Sequence, residues 1–533
     1  MRSRQNQERE PERSGPSPLL SLPEELIEQI CQQLSSHRDS KSLAILCRTS
    51  KDLNRIATPS LYSGLSANRY MRRLVLFLRT LYERPDLCTY VRWLSLFASA
   101  AWFHLDQEHI EFISKTAERL GLDVLSPPKS NGPVSSYEED EDEGNRDNGS
   151  ENQAQDVSDE GEEQSTGNIN VEGGVGEGDG EGGEEAEEEE EEEEEAYDLS
   201  QLGQYQFETV AQLIIALTPN LQDLQVEATQ VMCDTGEGAF TMLEELAKRS
   251  PPAASLLHLH RFSFGHDDCR EVSFKYFQGV IDLAPNIRVI RADPCFDQPE
   301  YALNDPINIR NVTDLGFTSG HISAKGLRDI TSSCERLEVF SYCYSTMYAG
   351  LDPDCATPRE IVDILSKYKN TLRHLDIDLG SREEHQGGLY FGFCIEGQEI
   401  LSLKMFSCLE TFKVDGSSIL FPEVGTERYH TNILTEMLPQ SIRTLHLRDT
   451  QKEAAANLIT LTESLESFPH LSEIYLSGNG ISGPLGQFNV IVEDSEIQIL
   501  RERLAARGIR FLKRGDLRYT FAYERDEETR EYW

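Results

Sequence analysis

A histidine pair, a histidine–cysteine pair and a glycine motif are the first places in this sequence where residue types and spacing suggest chemistry. His258-x-His260 puts two imidazoles on one face of a strand, and His266-x-x-Cys269 follows closely, a donor set of the kind that holds zinc. Leu259 between the first two belongs to an apolar strand pattern, however, and no second cysteine pair follows. The spacing fits no tetrahedral set, so the cluster reads as fortuitous. Gly178-x-Gly180-x-x-Gly183 matches a dinucleotide fingerprint by letters, but no strand precedes it and its neighbours are carboxylates that repel a pyrophosphate. P-loop, G-x-S-x-G and H-E-x-x-H motifs do not occur. The expectation is a non-enzymatic chain with no cofactor and no metal. The polar residues that remain as candidates are those set between and after the apolar residues of short strands: Arg261, Arg291, His374, Asp376, Asp378, Lys413, His446, Arg448 and Tyr475. Their mixed charge suits contact with a protein substrate better than a nucleic-acid groove, which wants basic residues along its length.

The elements that position these residues recur. An apolar-x-x-apolar-x-apolar pattern appears ten times, from Val91/Leu94/Leu96 through Leu221/Leu224/Val226 to Leu471/Ile474/Leu476. From the second onward the intervals run from 25 to 38 residues. Most copies follow an amphipathic stretch and a loop, as in Phe207 to Leu217 before Pro219-Asn220, or Phe274 to Leu283 before Pro285-Asn286. One helix and one short strand cannot bury an apolar face alone, so such units must stack into a solenoid with a parallel strand per repeat. The fold class expected is α/β: a curved, leucine-rich-repeat-like solenoid behind a short helical module. The candidate contact residues then fall on the solvent face of the strands, the concave side of such an array. Arg507 to Arg514, broken by Gly508, Ile509, Phe511 and Leu512, reads as a final strand.

Charge is concentrated. Between Ser130 and Tyr197 there are 28 acidic residues against Arg146 alone, so this segment holds -27 of the net -43. Nothing in it can be buried, and it reads as a disordered acidic insertion looping out of the array. Subtracting it leaves enough chain between the first two strand patterns for about two repeats. The 11 cysteines are scattered singly and odd in number, which suits reduced thiols and a cytoplasmic or nuclear location. No apolar run approaches the roughly 20 residues of a membrane span.

The N-terminal region has its own pattern. Ser21 and Glu24 read as a capping box, Leu26, Ile30 and Leu34 as one stripe of the helix that follows, and two shorter helices as ending at Pro59. The stretch Leu19 to Leu65, with Leu22-Pro23-Glu24-Glu25-Leu26, Leu43, Leu46, Arg48, Leu53 and the exit Pro59, Leu61 and Tyr62, resembles an F-box, particularly of the fungal type. Residues 85 to 97 are similar to the first strand after the F-box in fungal F-box proteins with leucine-rich repeats. The resemblance implies a substrate receptor of an SCF-type cullin-RING ubiquitin ligase. In that role the F-box binds a Skp-family adaptor, and through it a cullin, while the repeats select a protein substrate. Adaptor contacts carried over on this basis are Leu22, Pro23, Leu26, Ile27, Ile30, Leu34, Leu43 and Leu46. The resulting organisation is a disordered lead-in (1–18), F-box (19–65), linker helix and first repeat (66–125), disordered acidic insertion (126–198), solenoid (199–516) and C-terminal tail (517–533). The alternative is a solenoid scaffold or acidic chaperone for basic proteins, with the N-terminal helices merely a cap.

Overall fold

The computed structural model describes residues 18–36, 39–68, 71–97, 105, 107–122, 206–227, 240–249, 256–265, 274–293, 307–318, 320–344, 355–379, 397–419, 432–448, 452–477 and 494–514. The segment read from sequence as the acidic insertion, the tail and the pair His266 and Cys269 lie outside them. All described elements belong to one compact unit, Met1–Val124 with Ser200–Trp533.

The first helices among the described residues are α1 (Glu24–Ser36), α2 (Ser40–Thr49) and α3 (Lys51–Leu61). Asp39 caps α2 by accepting from Ser42 N at 3.0 Å, and Ser50 caps α3 by accepting from Leu53 N at 3.1 Å, satisfying N–H groups that a helix start leaves orphaned. Ser21 ends a short 3-10 turn before α1, and α3 runs past Pro59 to Leu61. Ile27, Cys31, Leu43, Leu53, Ile56 and Ala57 form a small core of their own, separate from the large core of the rest of the molecule.

Among the described residues, twelve strands follow in one all-parallel sheet, ordered as in the chain. They are β1 (Gly64–Asn68), β2 (Trp93–Phe97), β3 (Asp223–Glu227), β4 (Arg261–Gly265), β5 (Val289–Asp293), β6 (Asp314–Phe317), β7 (Val339–Cys343), β8 (His374–Asp378), β9 (Thr411–Asp415), β10 (Thr444–Arg448), β11 (Glu473–Ser477) and β12 (Arg510–Arg514). The α/β class and the solenoid-like stacking of parallel strands thus hold, and all ten apolar patterns land on β2 to β11. The helices are α4 (Met71–Glu83), α5 (Pro85–Cys88), α6 (Gln107–Leu120), α7 (residues 206–217), α8 (Thr241–Arg249), α9 (Gln278–Leu283), α10 (Ala324–Ser332), α11 (Pro358–Leu365), α12 (Ile433–Met437), α13 (Lys452–Glu463) and α14 (Asp494–Ala505).

The pleat explains the pattern. Successive side chains alternate faces, so the second and fourth residues of β2 to β11, such as Leu375 and Ile377 or Leu445 and Leu447, are buried against the helices. Each such side chain contributes about 1.5–3 kcal/mol on burial. The first, third and fifth residues lie on the other, open face. Register across the sheet is unbroken, with Asp376 beside Lys413, Lys413 beside His446 and His446 beside Tyr475.

The turns that lead into the strands are tied across repeats by side chains. Asn220 Nδ2 donates to Thr89 O at 2.9 Å, Asn286 Nδ2 to Leu257 O at 2.9 Å, and Asn311 Nδ2 to Pro285 O at 2.8 Å. Each asparagine stands just before a strand pattern and reaches the equivalent turn of the preceding repeat. Farther along, Thr371 Oγ1 and Ser441 Oγ make the corresponding reach to Leu337 O and Leu409 O, both at 2.8 Å. The asparagines of these turns are therefore inter-repeat clamps that supply donors to turn carbonyls of the preceding repeat.

Two expectations need correction. β2 pairs directly with β3, so the chain between them is one repeat and not two, and its described residues carry two helices, α6 and α7. α7 is buried along nearly its whole length. The sheet also begins one strand earlier than the pattern suggested. β1 has a single large apolar residue, Leu65, and is completed by its neighbour: a Cβ on Gly64 would sit 2.0 Å from the Trp93 ring, which lies flat across that position.

Candidate functional site

Two surfaces carry the residues singled out from sequence. The first is the outer side of the N-terminal helices. Leu22, Leu26 and Ile30 follow one another at four-residue intervals and are 37, 44 and 39% exposed, with Leu20 at 39% and Ile45 of α2 at 56%. Pro23 is exposed as well. Leu26 and Ile30, four apart in α1, lie on one side of that helix, and Leu22 stands exposed just before its start. Behind it, the module is held by Ile27 and Leu43, at 3 and 1% exposure, with Leu34 and Leu46 half-buried against the same core. Of the eight adaptor contacts expected, then, Leu22, Pro23, Leu26 and Ile30 stand free. Ile27 and Leu43 are corrected to core residues, because the stripe that fills a three-helix core cannot also face outward. Ile45 was missed, and its spacing of two from Leu43 is the only signal that puts it on the opposite side. Arg55 fastens α3 to the start of α1 with two hydrogen bonds of 2.7 Å to the Glu24 carboxylate, which holds that carboxyl below its usual range.

The second surface is the open face of the sheet. Here the structure gathers three of the nine candidates into one constellation. Arg448, on β10, reaches across β9 to β8, where Asp376 accepts from both of its terminal nitrogens at 2.8 and 2.9 Å and Asp378 accepts at 3.1 Å. The bidentate fork fits a planar guanidinium to a carboxylate and is among the stronger charged contacts. Asp378 was expected on the solvent face, but it is 1% exposed, turned under by the end of its strand, and serves to hold Arg448. Beside it Asp415, fully buried at the end of β9, accepts from Leu379 N at 2.9 Å and from Ser418 N and Oγ at 3.0 and 2.6 Å. This carboxylate, which sequence reading passed over, pins the chain that leaves β8 to the turn that leaves β9.

The remaining candidates are spread out. His446 and Tyr475 are neighbours, their rings 5.6 Å apart, and His446 Nε2 lies 3.0 Å from Ser477 Oγ. The Tyr475 hydroxyl donates to Glu473 at 2.9 Å and accepts from Arg510 at 3.2 Å. Lys413 is half-buried in the middle of β9. His374 is half-buried at the start of β8, and burial lowers its pKa against the opposing pull of Glu410 and Asp314. Arg261 and Arg291 lie several strands away, each paired with an aspartate: Asp223 at 3.4 Å and Asp314 at 2.8 Å. Arg291 lies along the sheet over Gly316, where a Cβ would come within 2.8 Å of its Cδ and 2.5 Å of Ser341 Oγ. Between β1 and β7 the middle row of the open face is otherwise small and polar, Ser66, Ser95, Gln225, Ser263, Gly316 and Ser341, while from β8 onward it is Asp376, Lys413, His446, Tyr475 and Leu512. The face is thus plain at one end and chemically varied at the other.

His258 and His260 stand in the turn before β4, both exposed, with His260 Nδ1 3.5 Å from Asn286 O. Among the described residues no group of three or more His, Cys, Asp and Glu side chains is arranged to hold a metal ion, and no helix is long and apolar enough to cross a membrane.

No protein-family model matches the chain, and no curated protein matches it in sequence. Function must be argued from the two surfaces themselves.

Proposed function

We propose that the chain is the substrate-recognition subunit of an SCF-type ubiquitin ligase, its N-terminal helices serving as an F-box for a Skp-family adaptor and its sheet face taking a protein substrate. One observation carries this reading: Leu22, Leu26, Ile30 and Ile45 are exposed on a module whose core is already complete and separate from that of the repeats. Helices acting only as a cap would turn such side chains toward the repeats. An exposed apolar row on a helix suits a partner's groove or helix. The sheet face supplies the other half, a wide surface on which mixed charge, a histidine and a tyrosine are presented from rigid strands.

On this reading ubiquitin transfer is performed by partner subunits, and the acidic insertion read from sequence serves encounter with substrate more than docking. The test is co-purification with a Skp-family adaptor. Leu22→Ala with Pro23→Ala, and separately Leu26→Asp with Ile30→Asp, are expected to abolish binding while leaving the circular dichroism of the repeats unchanged. If the intact chain fails to bind an adaptor that a control F-box binds, the assignment is wrong. If removing residues 130–197 also removes the main cellular partner, the scaffold for basic proteins becomes the better account.

A further inference from the structure

A thiol and an imidazole meet where the chain leaves β6 for α10 and enters α11. Cys355 Sγ lies 3.8 Å from His321 Nδ1, and both residues are 7% exposed. A nucleophile within hydrogen-bond reach of a base is the arrangement from which thiol chemistry starts, and the reach is often loose before a reactant is bound. The pair lies beyond the carboxyl ends of parallel strands, the side on which α/β sheets present their reactive groups.

The backbone on both sides of the pair is fixed. The buried Tyr342 hydroxyl of β7 accepts from Ile322 N and donates to Gly320 O, both at 3.2 Å, so the two residues flanking His321 hang on one phenol. Gly320 N in turn donates to Cys343 O at 2.9 Å. Cys355 is set against this segment by an antiparallel bridge to Ser323, with Ala356 N donating to Ile322 O at 2.9 Å. Just beyond it, Thr357 and Glu360 form the reciprocal cap of α11. The Tyr344 ring, 4.5 Å from the imidazole, covers a third side. Thiol and imidazole are therefore presented to each other by rigid elements.

Cys88 supplies the comparison. It is 6% exposed, buried to the same degree, but its Sγ donates to Leu81 O at 3.6 Å, and burial pushes this thiol up. A carbonyl only accepts the thiol hydrogen, whereas an imidazole can take the proton away. We propose that Cys355 is a site of oxidation by small hydroperoxides, with His321 as its base. Sγ attacks the outer peroxide oxygen, the S–O bond forming as the O–O bond breaks. The thiol proton passes through Nδ1, in the tautomer whose Nδ1 accepts, to the leaving oxygen. Thiol and hydrogen peroxide thus become sulfenic acid and water, the sulfur losing the two electrons that the peroxide gains. The site is independent of the docking role of α1.

Hydrogen peroxide is the probe. The full chain is oxidised for graded times, quenched with catalase and unfolded in dimedone, and the labelled cysteine is located by peptide fragmentation. Cys355 is expected to form sulfenate at least about tenfold faster than Cys88, a floor below the roughly 10²–10⁴-fold that a positioned base contributes. His321→Gln should bring the Cys355 rate down to that of Cys88 and leave Cys88 unchanged, with exchange of the Ala356 amide reporting that the local fold is kept. If the variant loosens that amide, the wild-type ratio decides. Equal rates at Cys355 and Cys88 in the wild-type chain overturn the proposal, as does a Cys355 rate that a folded His321→Gln chain retains, or label on Cys343 in place of Cys355.

Discussion

Replacing Arg448 by methionine removes the only guanidinium that spans β8 to β10 in the described open face while keeping most of its apolar length. The Arg448 side chain is 18% exposed, Asp376 28% and Asp378 2%. Once the arginine is gone, Asp376 can rehydrate at modest cost. Asp378 cannot, and a carboxylate left in that position has lost a charged hydrogen bond worth about 1.5–3 kcal/mol. Breaking a buried ion pair by removing one partner costs about 3–5 kcal/mol in general, and the partial exposure of Asp376 puts this case near the lower end, about 3–4 kcal/mol. Repeat arrays open locally, so the appropriate assay is hydrogen exchange of the β8 to β10 amides, where that loss corresponds to acceleration by roughly two to three decades. Adding Asp378→Asn to Arg448→Met should recover most of the protection, since the second change removes the buried charge that has lost its arginine. Adding Asp376→Asn should recover little. Acceleration below tenfold in the single variant, or equal recovery by the two second changes, would refute the view that Asp378 is the group Arg448 serves.

Asn286→Ala should destabilise the β4–β5 junction by about 1 kcal/mol, the typical net value of one hydrogen bond, read as faster exchange of the flanking turns, because Leu257 O loses its donor. His374 has its pKa lowered by burial, so the unfolded chain binds the proton more readily than the folded one; stability is full above a pH of about 6.5 and falls on acidification below it. His374→Gln should flatten that slope in denaturant titrations between pH 7 and 5, and an unchanged slope would locate the titration elsewhere. Cys334, whose thiol is pushed up to about 12 chiefly by burial, should resist alkylation at pH 8 in the native chain and react only on unfolding, as mass spectrometry of the labelled peptide will report. Gly316→Val should displace Arg291 and free Asp314, lowering stability by about 1–3 kcal/mol through overpacking, measured by urea denaturation.

What the sequence made legible was decided by how local each signal is. The strands β2 to β11 were readable because two buried residues at fixed spacing within five, after a Pro-Asn or similar turn, repeat often enough to reinforce one another. β1 was not, since Gly64-Leu65-Ser66-Ala67-Asn68 has almost no apolar content and gains its place only when Trp93 packs over Gly64. The extra helix between β2 and β3 defeated an estimate from length, because length counts residues and not strands. At the candidate surfaces, alternation identified which residues face away from the helices but could not show that Asp378 turns under or that Arg448 passes over a whole strand to reach Asp376. Those contacts join residues some 70 positions apart, and no short-range pattern encodes them. On α1 the stripe was legible, whereas its division into Ile27 inside and Leu26 and Ile30 outside depends on where α2 and α3 settle.

The order of the sheet has a consequence for how the protein is made. Every strand pairs only with its neighbours in the chain, so each new repeat can dock as soon as it is synthesised, with no wait for a distant partner. The one long pause lies between Phe97 and Asp223. At roughly 5–20 residues per second, that stretch takes on the order of ten seconds to emerge, during which β2 has β1 on one side and no neighbour on the other. Until Asp223 emerges, the N-terminal module, the β1–β2 pair and α4 to α6 are the described parts of the chain already available to fold, with Leu22, Leu26 and Ile30 exposed on the first of them.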